Sequence, residues 1–213
     1  MKRIIMSIAL ISIHALSNAQ NTKYLAAMQK NLAGLDTTRS TEKLQGLANT
    51  FERIGSAEKG EWLAPYYAAY CYVNMTYNVK GDMIDTYCDK AETFINRADS
   101  LNPNNSEVYA LKAQITSARI SVNPMTRGQK YGPMAGELRA KAKQLDAANP
   151  RPYYLDGTAA FYTPSAFGGG KDKAKVAFEK AKGLYETFKP ASTIAPNWGK
   201  GSTEYFLKLC ETK

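Results

Sequence analysis

Two stretches of the chain repeat almost the same text. Ala98-Asp99-Ser100-Leu101-Asn102-Pro103-Asn104-Asn105-Ser106-Glu107-Val108-Tyr109 is echoed by Ala142-Lys143-Gln144-Leu145-Asp146-Ala147-Ala148-Asn149-Pro150-Arg151-Pro152-Tyr153. Each runs from an alanine-bearing helix end, through an Asn-Pro turn, into an aromatic-bearing helix start. Proline lacks the amide proton that would continue a helix, and Asn or Ser beside it accepts bonds from the free amides of the next one. A chain with two equivalent junctions of this kind is a row of helical hairpins whose apolar faces must be covered by their neighbours.

The remaining residues agree with that frame. Tyr24, Leu25, Met28, Leu32 and Leu35 share one helical face, as do Leu44, Leu47, Ala48, Phe51 and Ile54, and alternating strand patterns are almost absent. Helices are expected near residues 22–34, 40–54, 61–78, 82–101, 105–121, 133–147, 152–162, 171–188 and 201–211. Gly55, Gly60 and Gly81 supply the turns, and Asp82 and Ser106 supply caps.

Small and large residues recur where paired helices would cross. Tyr153 and Gly157 face Ala174, Phe178 and Ala181; Tyr109 and Ala113 close on Ala142; Ala69 meets Ala91, Ile95 and Ala98. Small residues let backbones approach while the large one fills the space between them. In these residues the chain resembles the tetratricopeptide repeat (TPR) family, and in its overall style small exported TPR-like proteins of Gram-negative bacteria. The resemblance implies an all-α solenoid of about three degenerate hairpins over residues 61–188. N-terminal helices over 20–60 and a linker with a capping helix over 189–213 would flank it, the whole of 20–213 forming one domain. The steps from Ala98 to Ala142 and from Ala142 to Ala181 exceed the family's repeat of about 34 residues, so loops are expected at 121–134 and 163–170. Arg127, Lys130, Tyr131, Phe167, Gly168, Gly169, Gly170 and Lys171 would project from one edge.

If Ala69, Ala113 and Gly157 are equivalent, a partner-binding groove would be lined by Tyr66, Tyr70, Asn74, Gln114, Tyr154, Thr158, Phe161 and Tyr162. Tyrosine offers contact area and a polar tip at low entropic cost, although the same rings also serve as packing between helices. Gly168-Gly169-Gly170-Lys171 lacks the Walker spacing and a preceding strand, and reads as a tight turn. Trp198 reads as a packing anchor.

Residues 1–19 have the form of a secretory signal, with Lys2 and Arg3 before an apolar run and small residues ahead of a cut after Ala19. The run is too short for a comfortable membrane span. The chain's one histidine, His14, leaves with it, which removes imidazole from the mature chain and with it triads and zinc sites that need that ring. The formal net charge of +9 falls by two with Lys2 and Arg3, and the remaining lysines are interspersed with acids, which speaks against a nucleic-acid surface. Cys71 and Cys88 flank one turn, so they either form a disulfide or remain two buried thiols, with Cys210 left over.

Together these features predict a non-catalytic exported scaffold, periplasmic, without cofactor or metal, that binds a peptide, protein or envelope component. The alternative is a small-ligand-binding accessory protein of a solute-uptake system, holding an organic anion near Lys171 or Arg127.

Overall fold

The computed structural model describes residues 22–35 and 38–212, so the expected signal at 1–19 lies outside the described residues. Every regular element among them is helical: α1 over 22–35, α2 (Thr41–Ala57), α3 (Leu63–Met75), α4 (Asp82–Leu101), α5 (Ser106–Ala118), α6 (Pro124–Leu145), α7 (Arg151–Tyr162), α8 (Lys171–Thr187) and α9 (Lys200–Glu211). Short 3-10 turns at Thr76–Asn78, Arg119–Val122 and Ser165–Phe167 end α3 and α5 and follow α7. No described helix is long and apolar enough to cross a membrane.

Local chemistry fixes the ends. Asn105 Oδ1 accepts from the amides of Glu107 and Val108 at 2.8 and 3.4 Å and starts α5, while Ser40 caps α2. α3 is apolar on nearly every face and buried along most of its length, as a helix surrounded by others must be. It packs against α2, α4 and α5, so the main core gathers around it with Met28, Phe51, Ile95 and Leu111. α5 in turn touches both α3 and α7, so the first helices of successive hairpins lie side by side. The second helices pack on them, with Ile84, Cys88, Ala91, Ile95 and Ala98 forming the buried stripe of α4.

One expected loop is a helix. α6 begins at Pro124, nine residues before the expected start, so Arg127, Lys130 and Tyr131 do not project from a loop. Asn123 caps the Thr126 amide at 3.3 Å, and Pro124 occupies the first turn, where its missing proton costs nothing. Arg127 is drawn 2.8 Å from Asp85 of α4, beside Arg119, which holds Asp89 at 2.6 Å and Glu92 at 2.9 Å. Pro133 inside the helix is tolerated because the carbonyl it strips of a partner belongs to exposed Gln129. The second loop is present and folds back tightly: the Gly170 amide donates to Ala160 O at 2.9 Å, and a Cβ on Gly169 would sit 2.0 Å from Thr163 O.

Of the two alternatives for Cys71 and Cys88, the structure has the thiols. Cys71 and Cys88 are buried and free, and the Cys88 thiol lies 3.7 Å from the Ile115 carbonyl of α5 instead of meeting Cys71. Burial pushes both thiols up, Cys88 to about 12.

Gly157 shows how close the third hairpin is packed, since a Cβ there would lie 2.4 Å from the Phe178 ring. Gly157→Ala should therefore cost about 1–3 kcal/mol by overpacking. Gly128→Ala, on helical backbone with nothing within 4 Å, should instead stabilise by about 0.5–1 kcal/mol. Urea unfolding of both variants checks the opposite signs.

Candidate functional site

The row formed by α3, α5 and α7 was expected to present an open aromatic groove. Its inner side is in part filled by the chain's own segment after α8, a strap over residues 188–199. Ile194 is buried in the main core, where its carbonyl accepts a bond from Tyr67 Oη at 2.8 Å. Trp198 stacks on Tyr70 with ring centres 5.3 Å apart, meets Tyr154 edge-on at 6.3 Å and donates from Nε1 to Tyr66 Oη at 2.8 Å. Tyr66 is consequently wholly buried, and Tyr70 and Tyr154 are only partly accessible. These three expected groove residues are packing partners of the strap, because Trp198 supplies the rings that a ligand was expected to supply.

Beyond Trp198 an aromatic face stays open. Tyr162 is 73% exposed and Tyr77 is 66% exposed. Phe206 of α9 gathers Phe161 at 5.2 Å, Tyr162 at 6.0 Å, Tyr205 at 5.6 Å and Tyr154 at 6.4 Å. Asn74 and Thr158 are half-buried, and Gln114 is buried at 6% exposure, its Nε2 donating to Tyr77 Oη at 3.1 Å. The Tyr77 hydroxyl interacts electrostatically with those of Tyr162, Tyr70 and Tyr154, which brings the end of α3 toward α7. Burial raises the pKa of the enclosed Tyr70 and Tyr154, and the face carries neutral rings with hydroxyl tips. Tyr77, Phe206 and Tyr205 were missed in the sequence. Tyr77 sits seven residues after Tyr70 and was legible by helical period, whereas the α9 rings reach the face only through the strap. Phe167, 73% exposed, and Lys171, bonded to the Thr212 carbonyl at 2.7 Å, belong to the glycine turn and its helix.

Beneath the strap lies a buried polar hub. Arg151 is completely enclosed. Nη1 donates to Glu107 Oε1 at 2.7 Å, Nη2 donates to the Pro196 carbonyl, and the guanidinium lies over Phe188 at 4.8 Å and Trp198 at 5.3 Å. Asn149 Oδ1 accepts from the Arg151 amide at 3.0 Å; Asn149 Nδ2 donates to Ser106 Oγ at 2.9 Å, which donates to Ala142 O at 2.8 Å. The two repeated junctions thus meet here, because Ser106 and Glu107 come from one and Asn149 and Arg151 from the other. Burial pushes the Glu107 carboxyl up to about 7 against the opposing pull of Arg151. Shallow recesses along α1 and α2, lined by Thr38, Lys43 and Thr50 or by Asn49, Glu52 and Arg53, bring together no comparable set of rings. Among the described residues there is no histidine, and no group of three or more His, Cys, Asp or Glu is placed to hold a metal ion.

The solved structure of the HusA haemophore from Porphyromonas gingivalis is similar over 89% of this chain and 94% of that one, with 36% identity and a TM-score of 0.81. The chain belongs to the HusA family. No family model matches it, and no curated protein does, so the tetratricopeptide likeness stands on its hairpins alone.

In this HusA-family chain the hub should be visible in stability. The folded Glu107 carboxyl titrates above its ordinary value, so its contribution is complete below about pH 4.5 and is lost as pH rises through about 7. Across that window the wild type should lose on the order of 3 kcal/mol from this source, and Glu107→Gln should flatten the profile; urea midpoints measured from pH 4 to 8 test it. Arg151→Met, which strands the buried acid, should cost about 3–5 kcal/mol at neutral pH.

Proposed function

We propose that this protein is a non-catalytic haem-binding carrier that holds the flat tetrapyrrole against the open aromatic face of Tyr77, Phe161, Tyr162 and Phe206. The observation that carries the reading is that face itself, present on a chain 36% identical to a haemophore over nearly its full length. A porphyrin is a large apolar disc with a polar edge. It gains from burial against rings, from offset or edge-on aromatic contact, and from hydroxyls at its periphery. With no imidazole among the described residues and phenols held neutral, retention by stacking is favoured over iron ligation. The excess of Lys and Arg over Asp and Glu suits an anionic ligand.

This reading takes the place of a peptide laid along the groove, since the strap and Trp198 cover the length that a peptide would need. It keeps the exported setting implied by the signal-like start, periplasmic or beyond the cell, and a tetratricopeptide-like scaffold. Loading of the carrier requires no chemistry on the ligand.

Absorbance titration with haemin and with metal-free protoporphyrin IX tests the proposal. Wild type should bind both with affinities within about threefold of each other. Tyr162→Ala should weaken each about tenfold, from lost ring contact and apolar burial, with an unchanged thermal midpoint because the side chain is exposed. Binding of haemin alone would point to iron ligation and count against the stacked mode; binding of neither would refute the carrier.

A further inference from the structure

The two helices of each hairpin run antiparallel. The turns within hairpins, at 76–81, 119–123 and 163–170, therefore share one edge of the row, and the junctions at 58–62, 102–105 and 146–150 share the other. Side chains tie the first edge together. Asn78 donates to the Arg39 carbonyl at 2.7 Å, Arg127 of α6 reaches Asp85 of α4 at 2.8 Å, and Lys171 of α8 donates to the Thr212 carbonyl beyond α9 at 2.7 Å. Arg139 and Lys143 both hold Asp156, at 2.7 and 2.8 Å, which sets α6 against α7 with Met134 level with Tyr162.

The exposed large apolar side chains gather at this edge. Tyr77 and Met83 flank the first turn, Met125 opens α6, Tyr162 and Phe167 mark the third turn, and Met134, Val176 and Tyr205 lie on the helices beside it. Met125 is 80% exposed. Among the described residues no large apolar side chain is exposed at the opposite edge or along α1 and α2. Single exposed apolar residues are ordinary, but their confinement to one edge marks a surface that is meant to be covered. Charge follows the same edge. Arg39, Lys43, Lys80, Lys130, Lys171 and Lys173 are exposed on these turns and helix starts, against Glu42, Asp82 and Asp172. Residues 20–123 hold equal numbers of acids and bases, so the whole excess of positive charge beyond the signal-like start sits in 124–213.

We propose that this edge seats the protein on an anionic lipid bilayer. The apolar side chains stand on separate turns as separate tips, with lysines between them. A protein partner would need a pocket for each tip, whereas a bilayer yields to all of them at one depth. Tyrosine, with an apolar body and a polar end, suits the headgroup level, and methionine adapts to disordered chains. Lysine stems lie along apolar surface while their charged ends meet anionic headgroups. The proposal goes beyond the carrier reading and does not require it. The two fit together through Tyr162, which belongs both to the edge and to the open aromatic face, so an apolar ligand would pass between protein and membrane without crossing water.

The test is flotation of the exported protein with vesicles of phosphatidylcholine alone and of phosphatidylcholine mixed with an equal part of phosphatidylglycerol. Wild type should bind the anionic vesicles about tenfold more tightly than the neutral ones. Met125→Ala/Phe167→Ala should lose about tenfold on anionic vesicles, by removing inserted apolar area, with an unchanged thermal midpoint because both side chains are exposed. Lys80→Glu/Lys130→Glu should lose severalfold, while Lys59→Glu, at the opposite edge, should change binding less than twofold. Equal effects of the charge reversals at the two edges, or no effect of the apolar pair, would mean adsorption by net charge and overturn the proposal. Binding to neither vesicle would overturn it too and leave the carrier intact; a photo-crosslinker at position 167 would then show whether a second copy of the chain or another protein covers the edge.

Discussion

A guanidinium with no access to water is the constraint on which this fold depends. Removing a charge from solvent costs several kcal/mol unless partners replace the water, and Arg151 finds them on three separate parts of the chain: Glu107 at the start of α5, Asn149 ahead of α7, and the Pro196 carbonyl of the strap. Two aromatic faces, Phe188 and Trp198, close it off. Asn149 is close to Arg151 in sequence, but Glu107 and Pro196 lie 44 and 45 residues away on opposite sides, so the charge finds its partners only when the hairpins and the strap are all in place. The hub therefore links the packing of the hairpins to the position of the segment that follows α8.

That link shapes the aromatic face. Trp198 is held from behind by Arg151 and from in front by Tyr70, and its indole proton is taken by Tyr66. The strap consequently fills one part of the row of inner helices and leaves the rest, around Tyr77 and Tyr162, open. An all-helical row with a fully open inner side suits an extended partner, whereas one closed in part by its own chain offers a bounded aromatic surface that suits a compact, flat ligand.

The open face is unusual in what it lacks as much as in what it has. Among the groups acting on its phenols from the described residues, tyrosine hydroxyls recur and acids do not stand beside Tyr77. Neutral rings with hydroxyl tips give broad contact at little cost in side-chain entropy.

Much of the architecture was legible in the chain. Helical period, Asn-Pro junctions and small-large-small crossings located every described helix, because caps, turns and faces are written in neighbouring residues. The start of α6 was not, since Pro124, Pro133 and two glycines, Gly128 and Gly132, read locally as a loop; the decision came from Asn123 and from Arg127 reaching Asp85 across the fold. The aromatic face was legible as a set of rings on α3 and α7, Phe161 and Tyr162 among them, with Gln114 on α5 between. Which rings remain free was decided by Trp198 and Phe206, whose contacts with Tyr70, Tyr154 and Phe161 span long separations in sequence. Sequence by itself determined the helices and the stock of tyrosines, through interactions a few residues long; only the tertiary structure decided that Tyr66 is core and Tyr162 is surface, because burial depends on what the distant strap covers.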